Sequence, residues 1–125
     1  MSSINKFCVI GRLVKDPELR ELDNGNKVAN VTIAVDRSYK DKEGNKITDF
    51  FNYGLWNKNA ERICEFSKKG DIIYLEGSFK DKTIELEEGK IIHTFEPLVE
   101  EYKHIVTYKN NNLEEATTLE NEVSK

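Results

Sequence analysis

Apolar and polar side chains alternate with a period of two through most of the first hundred residues, with turn residues between the runs, and this predicts an all-β domain. Phe7 to Val14 reads as a first strand, followed by a turn at Asp16-Pro17-Glu18 whose backbone Pro17 restricts. Asn24-Gly25 marks a second turn. From Val28 to Tyr39, the residues Ala29, Val31, Ile33 and Val35 alternate with Asn30, Thr32, Ala34 and Asp36, giving a long second strand with one buried face. Lys40 to Lys46 forms a charged hairpin tip, and Thr48 to Trp56 returns as a third strand. The period changes from about Lys58 to Lys68, where Ala60, Ile63, Cys64 and Phe66 supply the apolar side of one helix. Asn57 is its expected N-cap, Lys68 and Lys69 suit the carbonyl end of its dipole, and Gly70 is expected to close its last turn. Ile72 to Lys80 and roughly Ile91 to Ile105 complete the set of strands. Pro97 lacks an amide hydrogen, so it marks an edge, a bulge or a break in the last strand.

The order β-β-β-α-β-β is that of an oligonucleotide-binding fold, a five-stranded barrel with one helix between strands 3 and 4 and a binding face usually made by its second and third strands. Fold order by itself leaves function open. The third strand is the informative one, because both its faces carry large apolar groups. Phe51, Tyr53 and Leu55 fall on one face, with ordinary core chemistry; Phe50, Asn52, Gly54 and Trp56 fall on the other. Only one face of a barrel strand can point inward. The second face, two aromatic rings around a small polar middle, makes a poor core layer and a good platform for stacking bases, although surface aromatics can equally pack against a subunit neighbour. Tyr39, at the outer end of the neighbouring strand, would extend the platform. Arg37, Lys40, Lys42 and Lys46 cluster on the long hairpin, and Lys58 and Lys69 bracket the helix, where they could hold phosphates or act only as solubilising charge.

Length and charge refine this picture. A chain of 125 residues is one ordinary domain, read as 1–109, followed by an acidic tail, 110–125, expected to be disordered. The net charge of −4 argues against a nucleic-acid partner, but the tail alone holds four Glu against one Lys, which leaves the body nearly neutral with local basic clusters. The first apolar run, Phe7 to Ile10, is too short for a membrane span or a signal segment, so a soluble, cytoplasmic protein is expected. Cys8 and Cys64 lack metal-ligand or redox spacing and read as buried thiols. His93 and His104 have no ligand partners at metal spacing, Glu85, Glu87 and Glu88 with Gly89 resemble a charged turn, and no phosphate-cradling loop is present. No catalytic residue, metal site or cofactor is expected.

Asn5-Lys6-Phe7-Cys8-Val9-Ile10-Gly11-Arg12-Leu13 followed by Asp16-Pro17-Glu18-Leu19-Arg20 resembles the opening of the bacterial single-stranded DNA-binding protein family, found also on phages and plasmids. The similarity continues through Asn24-Gly25, Val28-Ala29-Asn30, Asp49-Phe50, Trp56, Ala60-Glu61, Lys68-Lys69-Gly70 and Glu76-Gly77. The resemblance implies stacking by Tyr39, Phe50 and Trp56, phosphate contacts at Arg20, Lys42, Lys58 and Lys69, and a homotetramer around which a single strand wraps. With Arg37 and Lys40 added from the hairpin cluster, these are the expected DNA-binding residues of a non-enzymatic protein that protects single strands in replication, recombination and repair. Two departures stand out. Ile84 occupies a place where many relatives put a further aromatic, and the terminus Leu119-Glu120-Asn121-Glu122-Val123-Ser124-Lys125 differs from the acidic, apolar tip with which relatives recruit replication and repair enzymes. A barrel serving as a protein-interaction subunit, an RNA-binding module and, more distantly, a magnesium-dependent nuclease are the rival readings.

Overall fold

The computed structural model describes residues 2–108, so the expected tail at 110–125 and the last residue of the expected 1–109 domain lie outside the described residues. The elements are β1 (Phe7–Leu13), β2 (Leu19–Glu21), β3 (Lys27–Lys40), β4 (Lys46–Trp56), α1 (Asn57–Phe66), β5 (Ile72–Glu85) and β6 (Ile91–Val106). Every ladder is antiparallel. β3 is long enough to hold three neighbours: β4 runs along one edge, while β2 and then β1 share the other, and β5 and β6 continue the sheet beyond β1. This is the all-β oligonucleotide-binding fold, with its helix between the third and fourth long strands.

Two features depart from a closed five-stranded barrel. β2 adds a three-residue strand paired to the start of β3, too short for periodicity to reveal. No ladder joins β4 to β6 among the described residues; the two strands lie beside each other across an open seam. Pro97 fits this arrangement, because β6 is an edge strand with a spare side for a residue lacking an amide hydrogen. A bulge lies nearby, where Glu76 opposes Glu101 but Gly77 opposes Val99.

The core follows the alternation. Ala29, Val31 and Ile33 on β3, Leu55 on β4, and Ile73 and Leu75 on β5 are buried, the Val, Ile and Leu side chains contributing about 1.5–3 kcal/mol each. α1 closes one end with Ala60 and Ile63. Its ends differ from expectation. Asn57 takes φ of +50°, a left-handed conformation that Asn tolerates, and its Oδ1 accepts the Lys27 N–H at 3.0 Å instead of capping the helix. The helix stops at Phe66, which is exposed, and Gly70, at φ of +91°, belongs to the following turn, in which the Asp71 N–H donates to the Lys68 carbonyl.

Buried polar groups are paired. Ser67 Oγ bonds the Tyr102 hydroxyl, and the Asp71 carboxylate accepts the backbone N–H groups of Lys68 and Tyr108, both at 2.8 Å. His104 Nε2 lies 3.2 Å from Asp71, so this imidazole ties the end of β6 to the loop after α1. Neither cysteine is buried: Cys8 points outward between inward-facing Phe7 and Val9, and Cys64 is half-buried. Beyond the core, the β3–β4 and β5–β6 hairpins project as two-stranded arms, which is why β5 runs on to Glu85.

Candidate nucleic-acid interface

Residues opposed across an antiparallel ladder share a face of the sheet. On the face turned away from the core, the register therefore assembles four rows: Arg20, Val28 and Trp56; Asn30 and Gly54; Thr32 and Asn52; and Arg12, Ala34 and Phe50. Phe50 and Trp56 stand at opposite ends, six residues or about 20 Å apart along β4. Phe50 is 63% exposed and Trp56 42%, although both belong to the most regular part of the sheet. The middle is low. At Gly54 a Cβ would lie 3.3 Å from Asn30 Oδ1 and 3.8 Å from Trp56 Nε1, so the absent side chain leaves room that the carboxamide and the indole edge border. The Thr32 hydroxyl donates to Asn52 Oδ1 at 2.6 Å.

Two grooves meet at Asn30. One, of about 530 Å³, runs from Asn30, Asn52, Gly54 and Trp56 across the seam to Lys80, Glu96 and Leu98. The other, of about 330 Å³, is lined by Lys15, Asp16, Glu18, Leu19, Arg20, Val28 and Asn30. Together they give an elongated surface with rings on one strand and cations along both borders.

Charge around this surface, on both faces of the β3–β4 ladder, is sorted by pairing. Hydrogen bonding from Thr48, then the cations Lys46 and Arg12, hold the Asp36 carboxyl below the usual carboxylate range. Asp49 is lowered in the same way by the Arg37 guanidinium, which grips it through Nε at 2.9 Å and Nη2 at 3.1 Å. Glu96 pairs with Lys82 at 3.4 Å. By contrast Arg12, Arg20, Lys40, Lys42, Lys58, Lys69 and Lys80 form no ion pair among the described residues. Asp36, Asp49 and Glu96 are thus offset by neighbouring cations, whereas Asp16 and Glu18, which line the groove beside Arg20, form no ion pair among the described residues. The unpaired cations keep their charge for another partner.

The residues singled out from sequence are distributed as follows. Phe50, Trp56 and Arg20 share the outer face. Lys58 opens α1 just beyond Trp56. Lys69 lies in the loop after α1, its backbone N–H donating to Asp16 at the rim of the Arg20 groove. Lys40 ends β3, opposite Lys46, and Lys42 is in the hairpin turn, whose backbone the Asp41 carboxylate gathers by accepting the N–H groups of Glu43 and Asn45. Tyr39 stands apart from the row. Its hydroxyl accepts from Arg37 Nη1 at 3.0 Å, and Arg37 is fastened to Asp49, which precedes Phe50 and so lies on the opposite face of β4. The register shift between Asp36 and Lys40 loosens that end of the ladder, so Tyr39 bounds the platform and does not continue it. Phe51 also differs from a core residue: it is 44% exposed although it opposes fully buried Ile33 across the ladder.

Two cations on this surface went unnoticed in the sequence. Arg12 reaches it through β1, and Lys80 borders the groove from β5. Neither carries a local signal, since only strand register brings residue 12 beside residues 34 and 50. Among the described residues no group of three His, Cys, Asp or Glu side chains converges to hold a metal, and no helix is long and apolar enough to cross a membrane.

The model of the single-strand binding protein family matches residues 4–113. Similar relatives include the single-stranded DNA-binding protein of Oceanobacillus iheyensis, 33% identical over 104 residues, which are 83% of this chain and 65% of that protein. Single-stranded DNA-binding protein 2 of Listeria monocytogenes is 36% identical over 92% of this chain and 71% of its own length. Single-stranded DNA-binding protein 1 of Streptococcus pyogenes is 33% identical over 93% and 88% respectively. A match that takes in all the strands, the helix and the bare aromatic face of β4 leaves one assignment: the chain belongs to the single-strand binding protein family.

Proposed function

We propose that this protein binds single-stranded DNA without strong sequence preference and without catalysing a reaction, protecting the strand during replication, recombination and repair. The observation that carries the reading is the uncovered face of β4, where Phe50 and Trp56 flank the low floor at Gly54 and unpaired cations line the borders. Phe50 and Trp56 stack bases, which suits any sequence because every base has a flat face. Tyr39 adds a ring at the hairpin. Arg20, Lys40, Lys42, Lys58 and Lys69 contact phosphates, joined by Arg12 and Lys80; Arg37, already gripping Asp49, offers only its remaining N–H groups. The names of the family relatives support the choice of single-stranded DNA over RNA or a protein partner.

The finer parts of the reading are a homotetramer, a location in the cytoplasm at the nucleoid or replication fork, and a division into a binding domain at 1–109 and an acidic tail at 110–125. The tail differs at its tip from those that recruit replication and repair proteins, so recruitment is a secondary expectation. The test is the fluorescence of Trp56, the single tryptophan, titrated with oligo-dT at low and high salt, with duplex DNA and oligo-U as competitors. Strong quenching that salt weakens and duplex does not relieve supports the reading. Relief by oligo-U would favour RNA, and absence of any binding would favour a protein-interaction role.

A further inference from the structure

Phe50 and Trp56 stand free, whereas the third ring, Tyr39, is tied down. Between the pairs Asp36–Thr48 and Lys40–Lys46 the ladder loses step: three residues of β3, Arg37 to Tyr39, face the single residue Ile47, and none of them has a partner in the register. Arg37 fills this irregular stretch with side-chain bonds. Its Nε and Nη2 donate to the two oxygens of Asp49 at 2.9 and 3.1 Å, and its Nη1 donates to the Tyr39 hydroxyl at 3.0 Å. The guanidinium carbon lies 5.9 Å from the centre of the Tyr39 ring. Asp49 is on the face of β4 opposite Phe50, so these bonds draw Arg37 and the Tyr39 hydroxyl towards the reverse of the stacking row. Further along the same hairpin, Lys40 and Lys42 form no ion pair among the described residues, which makes Arg37 a cation withheld where its neighbours are free.

We propose that the Asp49 carboxylate is a stand-in for a backbone phosphate, and that Arg37 and Asp49 form a clamp which a bound strand opens, freeing Tyr39 to stack. The proposal rests on the single-stranded DNA reading above and assigns Asp49 the part of a brake on that site. The chemistry of the exchange is balanced, because the planar guanidinium fork takes a carboxylate or a phosphate through the same two parallel N–H···O bonds. Asp49 is partly exposed, so water takes over its oxygens at small cost. The backbone allows the movement. Residues 37–39 can turn without parting any pair of the ladder, since the pairs at Asp36–Thr48 and Lys40–Lys46 stay whole on either side. As long as the clamp is shut, Arg37 has only two N–H groups to offer a phosphate, and its bond to the Tyr39 hydroxyl keeps the ring from the platform. Asp49 is therefore a positioning residue that acts through Arg37 on Tyr39.

The experiment measures the affinity of the full chain for oligo-dT across a salt series, for wild type, Asp49→Asn, Arg37→Gln, the Arg37→Gln/Asp49→Asn pair, Tyr39→Phe and Tyr39→Ala, with thermal unfolding midpoints as a check on the fold. Removing the competitor is expected to tighten binding by about two- to fivefold, the worth of an exposed ion pair. The salt slope of Asp49→Asn should steepen by up to about 0.7, because no carboxylate is left to gather back the counterion that the phosphate releases. Both gains should vanish in the Arg37→Gln background, which separates the clamp from the mere loss of a negative charge. Tyr39→Phe keeps the ring and loses the tether, so it should bind at least as tightly as wild type, while Tyr39→Ala loses about fivefold or more. Unchanged or weaker binding by Asp49→Asn would overturn the proposal, as would a gain that persists without Arg37 or a Tyr39→Phe loss as large as that of Tyr39→Ala. Failure of wild type to bind oligo-dT at any salt would instead defeat the underlying single-strand reading.

Discussion

The two faces of β4 are made from similar materials and meet opposite fates. On one, Leu55 is fully buried and Tyr53 packs against the core; on the other, Trp56 and Phe50 stay open although their backbone is paired just as regularly. The difference lies in what each face meets. α1 and the inward residues of β3 and β5 cover the first, whereas Phe50 and Trp56 on the second stay exposed among the described residues. Aromatic character alone therefore does not tell a core from a binding surface; exposure on a regularly paired strand, together with unpaired cations at the border, does.

The sharpest break of this comparison is Leu55→Ala, expected to cost about 2–5 kcal/mol of folding stability because it leaves a cavity where the sheet and α1 meet, as read by denaturant unfolding. Next, Phe50→Ala and Trp56→Ala should each weaken binding of single strands by about 1–3 kcal/mol and leave unfolding almost unchanged. A large stability loss in those variants would mean that the outer rings are structural. A smaller effect tests the border: Arg12→Ala should reduce the salt slope of log affinity by about 0.7, the share of one neutralised phosphate on a single strand. The least effect concerns acid. The folded-state pKa values of Asp36 and Asp49 are depressed, so their contribution is present above the ordinary carboxylate pKa of about 4 and is lost as pH falls through the folded values. Both groups are exposed, so the midpoint in denaturant should fall only slightly more between pH 5 and pH 3 for wild type than for Asp49→Asn.

Much of this was legible from the chain. Period-two patterning located the long strands, and alternation through 50–56 separated Leu55 from Phe50 and Trp56 before any register was known. Pro97 pointed to an edge, which β6 is. What escaped depends on non-local geometry. Arg12 joins the platform only through its pairing with Ala34, and Lys80 only because β5 borders the seam. Phe51 and Phe66 are apolar and periodic yet exposed, since periodicity says which way a side chain points but not whether anything lies there. Asn57 has the chemistry of a cap but spends its carboxamide on the entry to β3, a contact thirty residues away. Tyr39 looked continuous with the row until a shift in register turned its hydroxyl to Arg37.

The open seam between β4 and β6 has a mechanical side. A fully laddered barrel is a hoop, and widening it means breaking backbone hydrogen bonds. Here the sheet is a sleeve slit along one line, with Gly54 and Trp56 on one lip and Lys80 and Glu96 on the other. Parting the lips disturbs side-chain packing alone, so the groove can adjust its width to what lies in it while the ladders on either side stay whole.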